Sequence, residues 1–244
     1  MDIIRRNFFR LLRAGVLGEP GEMEPMSAFK WKRLATLLRE QKVLPLGVKG
    51  IATYAGDIRM NMQPELIAQL QEEATGHENI AFRAEPKLAN LFLNNRLKHI
   101  RENERHAIDT SVETLHLLDI IVSNINHTMS EGLSLQGILE IGHYLRSQGH
   151  RVDFVKLDTW IMQLHIRNMA SIFGTILVEL FEFEEDEVPF MQKSSKKATS
   201  LMVKSLQDDG RQRHARQHFF LSQPLETSSR FVRNIQQFLS QIEE

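Results

Sequence analysis

Two Glu-x-x-His pairs, Glu113/His116 and Glu140/His143, are the first residues in this chain with a spacing that could do chemistry. On helices that spacing puts a carboxylate and an imidazole on one face, and two such pairs with two further glutamates build di-iron sites in four-helix bundles. By helical-wheel counting, however, Glu113 and Glu140 fall nearly opposite the apolar stripes of their helices, whereas a bundle metal site projects inward. His214 and His218 stand four apart, a spacing at which two imidazoles can share a metal. Ala215 occupies the place of the glutamate in the zinc-protease signature, and Arg211, Arg213 and Arg216 add positive charge that disfavours a cation.

Two charged regions come next. Glu182, Glu184, Glu185, Asp186 and Glu187 could attract a divalent cation, but they lack the spacing and central glycine of a calcium loop and read as a solvated acidic helix end. Lys193, Lys196, Lys197, Lys204, Arg211, Arg213 and Arg216 precede Phe219 and Phe220, the mixture a single-strand binder uses; Asp208 and Asp209 interrupt it, which makes a charged surface the plainer reading. Gly47, Gly50 and Gly56 follow no predicted strand and match no phosphate-cradling pattern. Scattered Ser, His and Asp residues form no nucleophile elbow. No catalytic, cofactor-binding or metal-ligating residue is assigned, and no cofactor is expected.

Composition removes further classes. The absence of cysteine excludes thiol catalysis, thiolate zinc sites and a disulfide framework. With 30 Lys+Arg against 31 Asp+Glu, the bulk charge makes no case for nucleic acid. Arg5, Arg6, Arg10 and Arg13 interrupt any secretory apolar core, and the charge-free run from Asn168 to Val178 falls well short of the ~20 residues that span a bilayer. The expectation is a cytoplasmic protein.

The elements that must position these residues are helical. Ile108, Val112, Leu115, Val122, Ile125 and Met129 recur with a helical period over 107–129, with Asp109, Glu113 and Asn124 largely opposite, so this stretch is expected to organise the fold. Proline is absent between Pro86 and Pro189, so nothing there forces a break. Before it, residues 2–14 predict a helix with Ile4, Phe8, Leu11 and Leu12 inward, Arg6, Arg10 and Arg13 outward, and Gly15 as its stop. Such a cationic helix can lie on a membrane, though packing on the domain is the plainer reading.

Ser27 caps a helix to about Gln41 with Phe29, Leu34, Leu37 and Leu38 apolar; the stretch from Gly47 to Gly56 reads as irregular. Pro64 and Pro86 open helices 65–74 and 87–104, the latter with Leu88, Leu91, Phe92 and Leu97 as its stripe. Further helices are predicted over 134–148, from Asp153 or Asp158 through Trp160, Ile161, Leu164 and Ile166, over the apolar run 172–183, near 199–207 and over 227–242. No strand series or fixed-period repeat is found. The fold class is therefore all-α, an irregular multi-helix bundle of about eight to ten helices with short loops. It is read as a single domain over 1–244, with possible lobes 1–105 and 106–244.

Three stretches resemble the helical parts of the bacterial nucleotidyltransferase-like proteins. They are Phe8 to Gly18 with the helix from Phe29 and Val43 to Leu46; Gly132 to Leu145; and Asp153 through the Trp160 helix to Phe190. The resemblance lies in apolar pattern and element order. It implies nucleotidyl transfer by a small α/β core whose Asp-x-Asp pair holds Mg²⁺ against nucleotide phosphates. No Asp-x-Asp occurs in this chain, nor strand-forming material to carry one, so no catalytic residue transfers. The reading that follows is a non-catalytic helical interaction or scaffold module with a protein partner or self-association, its best candidate partner surface the stripe Phe231, Ile235, Phe238 and Ile242. The alternative is a diverged nucleotidyltransferase-like protein that binds nucleotide and divalent metal, with Glu182–Glu187 among its carboxylates.

Overall fold

A computed structural model describes residues 1–75, 86–88, 90–107, 109, 111–130 and 132–191. Among them the chain is all-helical, with nine α-helices and no strand. In order these are α1 (Ile3–Leu17), α2 (Ala28–Glu40), α3 (Leu44–Thr53), α4 (Pro64–Ala74), α5 (Leu91–Arg105), α6 (Val112–Ser130), α7 (Leu135–Gln148), α8 (Phe154–Gln163) and α9 (Arg167–Phe181). Single 3₁₀ turns follow α7 and α9, at Gly149–Arg151 and Glu185–Glu187. The predicted helices near 199–207 and over 227–242 lie outside the described residues.

Short polar side chains start the helices by accepting bonds from first-turn amides that have no partner within the helix. Asp2, Ser27, Asn90, Ser134 and Asp153 cap α1, α2, α5, α7 and α8 in this way. Pro64 opens α4 as its spacing predicts.

The organising helix is α1, not α6. It packs on α2, α3, α7 and α9, and buries Phe8, Leu11 and Leu12 completely. Phe9 meets Phe181 of α9 edge to face, with ring centroids 5.5 Å apart. These side chains join Trp31, Leu38, Leu97, Phe173 and Phe181 in one buried apolar cluster that draws on helices from both sides of residue 105.

Two glycines predicted as breakers are instead packing residues. α1 runs through Gly15 and ends at Gly18, whose φ of 72° is the left-handed conformation glycine adopts without penalty. The stretch around Gly47 and Gly50 is not irregular but forms α3. A Cβ on Gly15 would strike the Leu46 carbonyl oxygen, and one on Gly50 the Leu11 carbonyl oxygen. Their bare backbones let α1 and α3 approach more closely than any side chain allows.

Three predicted stripes are buried in part, Leu34, Leu37 and Leu38 of α2 among them, but miss near the helix start. In α2, Phe29 is 77% exposed while Trp31, Leu34, Ala35 and Leu38 are buried. In α5, Leu91 and Phe92 face solvent, and Leu97, Ile100 and Glu104 face inward. In α6, Val112 is exposed and Asn124 is buried, with its Nδ2 donating to the Ile120 carbonyl at 3.0 Å. Val122 and Ile125 are buried as expected, whereas Ile108 lies outside the described residues.

Candidate functional site

The acidic segment after α9, read from its sequence as a solvated helix end, is where the alternative reading needs carboxylates to gather. It begins where α9 ends, with Glu182 in the left-handed conformation at φ 57°. The chain then turns through Glu185–Glu187 and inserts Val188 and Phe190 into the core. That insertion pulls the segment against α1 and α7, whose arginines meet it.

Arg13 of α1 pairs with Glu182, and Arg146 of α7 pairs with Glu187. The same two arginines grip Glu19 in the α1–α2 loop, Arg13 at 3.0 Å and Arg146 at 3.1 Å. Arg146 also lies over the Phe183 ring, 4.4 Å from its centroid. Glu187 further accepts the Glu184 amide at 2.8 Å, closing the turn. Glu184, Glu185 and Asp186 are exposed. Glu182 and Glu187 therefore tie the segment to α1 and α7 through arginines rather than presenting free carboxylates.

The α1–α2 loop carries a second arginine cluster. Glu24 accepts from Arg6 at 2.7 Å and from Arg10 at 2.7 Å, and Asn7 holds its backbone in both directions. The Arg6 bond, aided by Arg10, holds the Glu24 carboxyl down at about 2 against the opposing effect of desolvation. With Met23 and Met26 buried and the Tyr54 hydroxyl donating to the Gly21 carbonyl at 2.9 Å, the loop is a strap fastened along its length. The α1 arginines thus face carboxylates, which removes the membrane-lying reading of that helix.

The Glu-x-x-His pairs are dispersed. Glu113 pairs with Arg151, and His116 packs edge-on against Tyr144 with centroids 5.0 Å apart. His143 places Nδ1 3.2 Å from the Val16 carbonyl oxygen, the geometry of a donated bond. Among the described residues no group of three or more His, Asp or Glu side chains is arranged to hold a metal ion. His214, His218, the basic region 193–216 and the stripe Phe231, Ile235, Phe238 and Ile242 lie outside the described residues. The Glu24 and Glu19 anchors had no signal in helical periodicity, because they belong to a loop.

A shallow, open depression of about 320 Å³ lies between the strap and the end of α3, lined by Gly21, Tyr54, Asp57 and Arg59 among others. Its one cation is engaged by both acids: Arg59 binds Glu22 at 2.9 Å and Asp57 at 3.3 Å, and Asp57 also accepts the Arg59 amide at 2.9 Å.

The remaining distinctive surface is apolar. α5 and α8 run antiparallel, fastened at one end by Arg96 Nη1 donating to the Gln163 carbonyl at 2.9 Å and at the other by Lys156 Nζ with Glu104 at 3.2 Å. Burial lowers the Lys156 pKa, but its bonds to Asp109 and Glu104 outweigh that effect and leave it raised. Leu91, Phe92, Val155 and Met162 on this pair are exposed, and Arg96 lies over the Phe92 ring at 4.5 Å. Among the described residues no helix is long and apolar enough to cross a membrane. Comparison with known proteins finds no matching family model, no matching curated protein and no matching solved structure.

Proposed function

We propose that this chain is a non-catalytic, all-helical interaction or scaffold module, akin to the helical parts of nucleotidyltransferase-like proteins without their α/β core. The observation that carries the reading is the α5/α8 pair. Leu91 and Phe92 open one helix and Val155 and Met162 sit seven apart on its neighbour, all turned outward from a pair fastened at both ends. Exposed apolar residues scattered singly are ordinary, but several on two helices tied to each other are what a partner surface needs. The engagement of Glu182 and Glu187 by arginine weighs in the same direction, because nucleotidyl transfer draws its charge stabilisation from metal held by free carboxylates. The stripe Phe231, Ile235, Phe238 and Ile242 is the second surface, proposed from its spacing alone.

Self-association is the simplest form of this function. Sedimentation equilibrium of the full chain is expected to give masses above 28.3 kDa as concentration rises. The variant Phe92→Ser/Met162→Ser is expected to return toward the monomer with unchanged helicity. A chain that stays monomeric at every concentration and is stabilised by a nucleotide with Mg²⁺ overturns the reading.

A further inference from the structure

The turn that joins α8 to α9 repeats, position for position, the turn that joins α2 to α3. Gln41, Lys42 and Val43 donate their amides to the carbonyls of Leu37, Arg39 and Leu38; Leu164, His165 and Ile166 donate theirs to Trp160, Met162 and Ile161. Lys42 and His165 are both left-handed, at φ 57° and 54°. In the helices before these turns, the hydroxyls of Thr36 and Thr159 donate to the carbonyls of Lys32 and Val155. Leu34, Leu38 and Val43 are buried, and so are Leu157, Ile161 and Ile166. α7 packs on α9 as α1 packs on α3, with Gly15 set against α3 and Gly142 against Leu177 of α9. The chain therefore holds two similar helical units, α1–α3 and α7–α9.

The first unit is completed by α4. Asn61, just before α4, accepts from Trp31 Nε1 at 2.9 Å, and Glu73, near its end, accepts from Arg39 Nε at 2.6 Å. α4 thus runs parallel to α2, and Trp31 is fully buried. Among the described residues nothing takes the same place in the second unit. Phe154, at the position of Trp31, is half-buried, and Met162, at the position of Arg39, is 52% exposed. α5 runs antiparallel beside α8 and leaves Met162 uncovered.

We propose that residues 227–242 of the same chain fill this place, laying Phe231, Ile235, Phe238 and Ile242 along α8 beside Phe154 and Met162. The proposal rests on the reading of the α5/α8 face as a binding surface and names its first occupant, which a second copy must displace. Chain order supports it, because these residues follow α9 as α4 follows α3. Tethering adds a local concentration that a free copy has to match. Charge fits the direction that α4 takes. Arg230 and Arg233 come to the start of α8, where Asp153 is exposed. Glu243 and Glu244 come to its end, beside Arg96, which bonds the Gln163 carbonyl and has no carboxylate partner among the described residues.

Because the chain has no cysteine, an introduced pair supplies its only thiols. Full-length Met162→Cys/Phe238→Cys, treated at low concentration with a short bismaleimide, is expected to give an internally linked monomer. Its yield should exceed several-fold that of Lys32→Cys/Phe238→Cys, whose first thiol stands on the exposed side of α2. A labelled peptide of residues 227–244 is the second probe. Phe231→Ser/Phe238→Ser frees the place on α8, so this variant should bind the peptide several-fold more tightly than the unaltered chain, and adding Met162→Glu should abolish that binding. Equal linkage at the two positions, linkage only between copies, or no peptide binding by the freed variant overturns the proposal. Sedimentation separates it from self-association. An internally linked chain that stays monomeric at every concentration keeps this contact and loses self-association, whereas an associating chain without the internal link does the reverse.

Discussion

Glu24 accepts bonds from two arginines on α1 while its backbone is clasped by the buried Asn7. Its carboxyl sits at about 2, well below the ordinary 4.5. A carboxyl depressed in the folded state contributes stability that is fully present above its unfolded value and is lost as pH falls through the folded one. Thermal midpoints are therefore expected to decline between about pH 4.5 and about pH 2, and Glu24→Gln should flatten that decline while lowering the midpoint at neutral pH. Parallel pH series for the two proteins check this; identical slopes would mean the strap does not depend on Glu24. The carboxyls of Glu73 and Asp109, lowered chiefly by bonds from Arg39 and Lys156, add to the same acid dependence. Phe29 and Trp31, two residues apart, contrast sharply in side-chain burial. Trp31→Ala is expected to cost about 3–5 kcal/mol by emptying the core, and Phe29→Ser to stay within about 0.5 kcal/mol. Denaturant unfolding of the two variants measures the difference.

Between α1 and α3, the helices meet backbone to backbone at Gly15 and Gly50. Gly50→Ala places a methyl group against the Leu11 carbonyl, which cannot swing aside as a side chain would. The expected loss is about 1–3 kcal/mol, or a midpoint lowered by roughly 2–4 °C for each kcal/mol. The same substitution at Gly18, whose φ is positive, acts through backbone strain instead. Helix existence was legible from apolar periodicity, caps and prolines: Ser27, Pro64, Ser134 and Asp153 sit where α2, α4, α7 and α8 begin. Which apolar residues at a helix start turn inward was less so. Phe29, Leu91 and Val112 satisfy a stripe drawn through nearby apolar residues, yet the face containing Trp31, or Leu97 and Ile100, buries more. A glycine inside α3 cannot be told from a breaker without the partner helix that needs its missing side chain. The ion clusters were invisible for a related reason: Arg13 and Glu182 are brought together only by tertiary packing.

At the scale of the described fold, α1 is the hub on which α2, α3, α7 and α9 pack, and the strap and the acidic segment are both tied to its arginines. Carboxylates that might have served chemistry are used to fasten loops. Large apolar side chains stand exposed on α5 and α8 and at Phe29 and Ile58. We propose that this arrangement binds other surfaces rather than processing nucleotides. Thermal unfolding of the full chain with nucleoside triphosphates and Mg²⁺ or Mn²⁺ tests it most directly. A ligand at about a hundred times its dissociation constant stabilises by ~2.7 kcal/mol, which raises the midpoint of a chain this size by roughly 5–10 °C. On that proposal no nucleotide-dependent shift beyond that of the metal alone is expected; a shift of that size would instead assign the fold a nucleotide site and overturn the proposal.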